Sequence, residues 1–255
     1  MSKEQCRFFR ADLHIHTCLS PCGDWGMSPA LIVDKSCEKK LDIIAVTDHN
    51  SIENAQTAMT LGRRNGLVVF PSMEICSVEE VHILALFDNI NDAEEMQAFI
   101  YKNLEGENNP DVFGYQVVAN ENDEVVTQNQ RLLIGATKLN LRSIVEKVAE
   151  TGGISIAAHI DKTAFSILGQ LGFIPPDLRL DAVEVSFREK PEEASGKFML
   201  GDKLPCITSS DSHFPEEIGR VSTKFFMAAP TIKEMKKALK KEDGRYLQYS
   251  IKAAT

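Results

Sequence analysis

The sequence has no apolar run long enough to span a bilayer, and Met1-Ser2-Lys3-Glu4-Gln5 lacks the apolar core of a secretory leader. A soluble, cytoplasmic protein that leaves membranes alone is expected. Excess positive charge is absent too. Against 37 Asp and Glu stand 28 Lys and Arg, a net charge of −9 with a pI near 5.2. That disfavours a partner such as duplex nucleic acid, which is held by phosphate neutralisation. A small anionic substrate stays open, because bound cations reverse a local field. No track of alternating aromatic and basic residues suggests a long single-strand groove. The six cysteines form no small-domain disulfide framework, so reduced thiols are expected. Cys18 and Cys22 are the only close pair, with no second pair to complete a structural zinc cage. They read as loop thiols, with Cys22 a minor ligand candidate. Internal repeats and low-complexity tracts are missing as well.

What is present is an ordinary globular composition. The 255 residues are 43% hydrophobic and 25% charged, enough to bury one α/β core, and 1–255 reads as a single domain. Near the N-terminus, Asp12-Leu13-His14-Ile15-His16 ends a short buried strand. Alternation along a strand makes His14 and His16 project together, with Leu13 and Ile15 on the other side. A loop of turn formers follows, then Ser28-Pro29 opens a helix. The run 41–47 is β-rich and ends at Asp48-His49, where Asn50 and Glu53 have the spacing of a capping box for the next helix. The run 67–70 leads to Glu74, and 81–87 carries His82 near its start. The run 152–158 ends at His159, 181–186 has no histidine, and 205–210 ends at Asp211-Ser212-His213. Helical patterns lie at about 92–104, 139–151 and 231–240.

Seven strand candidates separated mostly by helices argue for α/β architecture, a distorted seven-stranded (β/α) TIM-like barrel being favoured over a doubly wound sheet. The strand 81–87 breaks the pattern and is expected to pair antiparallel or sit irregularly. Residues 105–138 interrupt the rhythm as an insertion near the active-site face. Within it, 115–119 and 124–127 flank a turn and suggest a hairpin, either a lid or a packed edge. Of the six histidines, His14, His16, His49 and His159 fall at or just past strand ends, as do Glu74, Asp211 and His213. A lone buried histidine is ordinary, whereas this clustering points to a metal site at the strand C-termini.

Taken in order, Asp12-Leu13-His14-Ile15-His16, Thr47-Asp48-His49-Asn50, Glu74, Val81-His82, Ala158-His159 and Ser210-Asp211-Ser212-His213 resemble the successive motifs of the PHP (polymerase and histidinol phosphatase) superfamily. The resemblance covers nearly the whole chain. It implies a two- or three-metal site that hydrolyses phosphoesters, with His14, His16, His49, Glu74, His82, His159, Asp211 and His213 as metal ligands. Many relatives carry a further acidic or histidine ligand about five residues after the second histidine. Here that position is Pro21. Counting back from Ser28-Pro29 moves the acid to Asp24, so Asp24 joins the expected ligands. Asp48 is expected to orient a neighbouring histidine.

Nitrogen and carboxylate donors suit Zn, Mn or Fe as the two or three divalent ions. The expected reaction is attack of a metal-activated hydroxide on a small phosphomonoester, nucleotide-like or histidinol-phosphate-like. Glu74, His159 and Asp211 would be the catalytic residues, with Glu74 bridging metals. Arg188 and Arg220 are the favoured phosphate-binding cations, and Lys162 is a further candidate. The alternatives are a nuclease that trims oligonucleotides and a non-catalytic, metal-stabilised module. An amide hydrolase on a similar barrel would more often use a carboxylated lysine, and no lysine sits at a matching strand end.

Overall fold

The computed structural model describes residues 5–201 and 204–249. Its strands are β1 (Arg7–Ile15), β2 (Ile43–His49), β3 (Val68–Cys76), β4 (His82–Leu86), β5 (Val117–Ala119), β6 (Val125–Gln128), β7 (Ile154–Ala157), β8 (Ala182–Val185), β9 (Cys206–Thr208), β10 (Thr223–Met227) and β11 (Tyr246–Tyr249). The helices are α1 (Pro29–Glu38), α2 (Ala55–Asn65), α3 (Ile90–Tyr101), α4 (Pro110–Phe113), α5 (Leu141–Glu150), α6 (Ile167–Leu171), α7 (Pro191–Lys197) and α8 (Ile232–Lys240). Among the described residues, no helix is long and apolar enough to cross a membrane.

The main sheet has nine strands in the order β11-β10-β1-β2-β3-β4-β7-β8-β9. This corrects the expected count of seven. The extra two, β10 and β11, pair antiparallel on the outer edge of β1. They are short, and β10 buries only alternate residues, Thr223, Phe225 and Met227. The run β1–β2–β3 is parallel, as is β7–β8–β9, and β4 lies antiparallel to both β3 and β7. The sheet curls so that the chain after β9 returns to the end of β1. There Ile15 bridges Ser212, and His16 N donates to Ser212 O at 3.0 Å. Asp12 fastens the return, its two oxygens accepting from Ser210 N and Gly219 N at 2.9 Å each. Burial outweighs these bonds and pushes its carboxyl up to about 6.

Inside the curl, Phe9, Ala11 and Leu13 of β1 join Ile43, Phe70, Leu84, Ile156, Ile207 and Phe225, closed off by Met235 and Leu239 of α8. Outside, α1 and α2 pack on Ile15, Ile44 and Val46, while α3 and α5 cover Ile75, Ile83 and Ala157. Leu13 and Ile15 therefore lie in different clusters, against the expectation that they share a face. The reason is a register shift: β1 advances from Asp12 to Ile15 while β2 advances only from Ile44 to Val46. One extra residue in a strand re-aims the side chains beyond it. After Leu13 it turns His14 and His16 together into the mouth of the curl.

The segment 105–138 contains α4 and the antiparallel pair β5–β6. It is pinned beside the strand ends. Asn50 Nδ2 donates to Leu133 O at 2.7 Å and to Gly135 O at 2.9 Å, and Asn54 Oδ1 accepts from Ala119 N at 2.9 Å. Asn50 is thus not a helix cap. It sits at φ 50°, and α2 starts five residues later.

Candidate metal centre

The polar residues gather where β1, β2, β3, β7 and the chain after β9 end. Glu74, on β3, is 1% exposed and stands at the middle. Its Oε1 lies 2.8 Å from His82 Nδ1, 3.1 Å from His159 Nε2 and 3.4 Å from His14 Nε2. Its Oε2 lies 3.1 Å from His49 Nδ1 and 3.4 Å from His16 Nε2. Asp211 Oδ1 faces the same imidazoles, 3.4 Å from His14 Nε2 and 3.6 Å from His16 Nε2, and its Oδ2 receives Lys162 Nζ. His213, half-buried, stacks on His16 with ring centres 4.3 Å apart.

Three donor groups can be drawn among the described residues: His14, His16 and Asp211; His49, Glu74 and His82; and His16, Cys22, His49 and His213. His159 joins through Glu74, so the structure brings together eight of the nine expected ligands. Asp24 stands apart, because its Oδ1 accepts from Gly26 N at 2.7 Å and closes a turn. Cys22 instead reaches the cluster, Sγ lying 3.3 Å from His49 Nε2.

The hydrogen-bond roles test whether cations fit. His14 Nδ1 donates to Glu184 Oε2 at 2.9 Å, which leaves its Nε2 with a lone pair. Ser20 Oγ spends its one proton on Asp48 Oδ1 at 2.7 Å, so it must accept from His16 Nδ1 at 3.0 Å. His16 Nε2 then also carries a lone pair, 3.2 Å from that of His14. Two nitrogen lone pairs and the oxygens of Glu74 and Asp211 therefore confront one another in a buried space. Such a set is short of positive charge, and divalent cations suit it. With protons alone, the cluster is divided. Burial opposes charge on His14, yet Glu184, Asp211 and Glu74 lift its pKa well above the ordinary value. Burial, aided by His213, pushes His16 down to about 4. Glu74 and Asp211, despite burial, are held well below the usual carboxylate range by the surrounding imidazoles.

Backbone strain marks the same place: His159 has φ 30° and Asp211 φ 51°. Non-glycine residues in the left-handed region persist only where their surroundings hold them.

Above the cluster lies an open cleft of ≈ 820 Å³. Its walls carry Phe165, Phe187 and Phe214, the cations Lys162, Arg188 and Arg220, and Ile134 from the 105–138 segment. Arg220 is already engaged. Its Nε and Nη2 donate to Ser210 O at 3.0 and 2.6 Å, Nη1 donates to Glu217 Oε1, and the guanidinium lies 3.8 Å over Phe187. Arg188 is exposed and makes no ion pair among the described residues. Lys162 stands closest to the carboxylates.

Glu184 escaped sequence reasoning. A charge in the middle of Ala182-Val183-Glu184-Val185, with both flanking valines fully buried, was the available signal. Besides His14, it accepts from His159 N at 3.2 Å. Asp48 acts through Ser20, also accepting from Thr17 N and Thr17 Oγ1 at 2.8 and 2.7 Å.

Comparison with known proteins shows what the chain is similar to. A family described as PHP-associated matches residues 197–243. The uncharacterized protein MJ1587 of Methanocaldococcus jannaschii is 28% identical over 184 residues, 69% of this chain and 80% of that one. The lesion-specific endonuclease Q of Pyrococcus furiosus superposes over 94% of this chain with a TM-score of 0.73 at 18% identity. A two-domain Bacteroides vulgatus protein containing a PHP-like metal-dependent phosphoesterase superposes over 96%, with a TM-score of 0.57 at 15% identity. The chain thus shares its fold with PHP-like proteins, and a PHP-associated family model matches part of it. It spans 58% of the length of endonuclease Q and 65% of the Bacteroides protein.

This likeness overturns the expectation about duplex nucleic acid. Endonuclease Q, of the same fold, has been captured with a 27-mer duplex whose abasic lesion lies at the active site. Net charge was the wrong measure. It sums the whole surface, whereas binding answers to the local field around one cleft.

Proposed function

We propose that the chain is a metal-dependent phosphoesterase acting on a small phosphomonoester, nucleotide-like or histidinol-phosphate-like. The observation that carries this reading is Glu74, with five imidazole nitrogens within 3.4 Å of its two oxygens at the floor of an open cleft. A structural metal site is normally closed by its ligands, whereas a catalytic one keeps access for substrate. His14, His16 and Asp211 would hold one cation, and Glu74 would share a second with His82 and His159 and face His49. Bound divalent cations supply charge for the phosphoryl oxygens and bring the pKa of water towards neutrality.

The chain's own residues do the rest. Glu184 and Ser20 fix the tautomers of His14 and His16 so that Nε2 of each faces inwards. Asp211 holds the Lys162 ammonium beside the cluster and, despite partial burial, raises its pKa. Lys162 is thereby placed to contact a phosphoryl oxygen or pass a proton to the departing alcohol. Arg188, free at the rim, can bind a second oxygen, and the exposed rings of Phe165 and Phe214 offer flat surface to a base.

Cleavage of a phosphodiester within nucleic acid is the second reading, favoured by the likeness to endonuclease Q. One experiment separates the two. Purified protein loaded with zinc, manganese or iron is offered histidinol phosphate, mononucleotides, bisphosphonucleosides, sugar phosphates and oligonucleotides, including a duplex with an abasic site. Phosphate release from a monoester, abolished in His159→Ala, supports the proposal. Strand cleavage without release from monoesters supports the second reading, and silence on every compound with every metal removes both.

A further inference from the structure

The loop after β1 brings a sulfur, not a carboxylate, to the outer edge of the cluster. Cys22 Sγ, His16, His49 and His213 offer ligand atoms all within 4.8 Å of one another. The two outer imidazoles are set for ligation. His213 Nδ1 donates to Asp211 O at 3.0 Å, and His49 Nδ1 lies 3.1 Å from Glu74 Oε2. Each thereby keeps its Nε2 lone pair for another partner, the orientation that ligating histidines take from their neighbours. For His49 that Nε2 faces Cys22.

The thiol is placed firmly. Ser20 N donates to Thr17 O at 3.1 Å and Gly23 N to Ser20 O at 2.8 Å, so Cys22 sits in a wound turn. A Cβ on Gly23 would come within 2.6 Å of Thr17 O, so the turn depends on that glycine. Asp24 N donates to His213 O at 2.8 Å and ties the loop directly to the histidine beside it. Asp24's own carboxylate is spent on Gly26.

We propose that Cys22 supplies a thiolate which, with His49 and His213, completes an outer metal subsite that prefers zinc-like ions to manganese or magnesium. Ligation forms a metal–sulfur bond and releases the thiol proton to water. Thiolate is a soft donor that favours zinc, cobalt and ferrous ions, whereas manganese and magnesium favour oxygen. The proposal rests on the reading of the cluster as a metal centre but not on any reaction performed there.

Cobalt makes the test direct, because a cobalt–thiolate bond gives a near-ultraviolet charge-transfer band. Metal-free protein is titrated with Co²⁺ and with Zn²⁺ against Mn²⁺, alongside Cys22→Ser and Cys22→Asp. The wild-type chain should develop the band, and Cys22→Ser should lack it. Losing a ligand should weaken the ion at this subsite by at least the tenfold typical of losing an outer-shell partner. Cys22→Asp should keep the ion but lower the zinc-to-manganese preference by about tenfold or more. Should Cys22→Ser fail to fold, zinc-edge X-ray absorption on the loaded wild-type chain decides, a zinc–sulfur shell at about 2.3 Å being expected. A fully loaded protein without the band, a band that survives in Cys22→Ser, or a loaded protein without a zinc–sulfur shell overturns the proposal. Failure of the phosphoesterase reading would appear separately, as a loaded protein with the band but without hydrolysis. Failure to take up any metal would remove both.

Discussion

Glu184→Gln isolates one charge beneath the metal centre. Glu184 Oε2 accepts from His14 Nδ1 at 2.9 Å and from His159 N at 3.2 Å, while Oε1 is buried with no partner. A glutamine oxygen in the place of Oε2 keeps both bonds. Its amide nitrogen falls where Oε1 now stands alone, a cost shared by the loaded and metal-free proteins that cancels from affinity. What changes is that a charged acceptor for His14 becomes neutral. Bonds to charged partners are worth about 1.5–3 kcal/mol and neutral ones about 1. The difference of about 0.5–2 kcal/mol corresponds to roughly 2- to 30-fold in affinity. That overlaps the 10–100-fold typical of losing an outer-shell partner. Competition with a chromophoric chelator measures it, with circular dichroism to confirm the fold. In the metal-free protein, NMR titration of His14 should show its raised pKa falling. Affinity within twofold of wild type, with the fold intact, would refute the role of Glu184 as His14's orienting base.

Arg188→Ala should raise KM about tenfold and leave bound metal unchanged, because the guanidinium is exposed at the cleft rim; steady-state kinetics with metal analysis checks it, and an unchanged KM removes Arg188 from the site. Gly153→Ala should destabilise by about 1–3 kcal/mol. Its Cβ would meet Phe87 Cε1 at 2.6 Å and Leu86 O at 2.8 Å, so an unaltered urea midpoint would contradict the packing at the start of β7. Glu234, although partly desolvated, is held down to about 2 by Arg245, by Ala228 N–H and by Lys237. A depressed carboxyl adds stability above its unfolded value of 4.5, lost as pH falls towards 2. Glu234→Gln should therefore cost about 1–2 kcal/mol at pH 7, allowing for screening at its solvent edge, and progressively less below pH 4.5. A deficit that does not shrink on acidification would mean that packing, not charge, is what the variant loses.

How much of this could be read from the sequence depends on how locally each feature is encoded. The strand ends were legible because apolar runs such as Ile43–Val46 and Ile154–Ala157 stop at His49 and just before His159, and side-chain polarity changes there at once. Helices α3, α5 and α8 were found to within a few residues for the same reason, since each carries an apolar stripe and an Asn or Thr cap, whereas the short α4, α6 and α7 were not found. The bulge at Leu13–His14 has no such mark. It exists because β1 must serve the inner core at one end and the cluster at the other, a demand set by β2 and Ser212. The strands β10 and β11 were missed because each is short and finds its partner far away in sequence.

The site residues divide along the same line. His14, His16, His49 and Asp211 announce themselves as polar groups where a strand runs out. Glu184 lies inside a strand, and only its neighbours Val183 and Val185 betray that it is buried. Asp24 and Cys22 lie two residues apart in one turn, and a count from Ser28-Pro29 cannot say which of them faces inwards. The hydrogen bonds decide it: Gly26 N takes the carboxylate, and Asp24 N ties the loop to His213 with the thiol turned towards His49. Net charge failed for the opposite reason, being a property of the entire chain applied to a local question. At the cleft the carboxylates of Glu74, Glu184 and Asp211 are matched by imidazoles and by Lys162, and Arg188 and Arg220 line the wall. With divalent cations added to that balance, as the proposed reading requires, the mouth of a chain carrying −9 overall would attract a phosphate, not repel it.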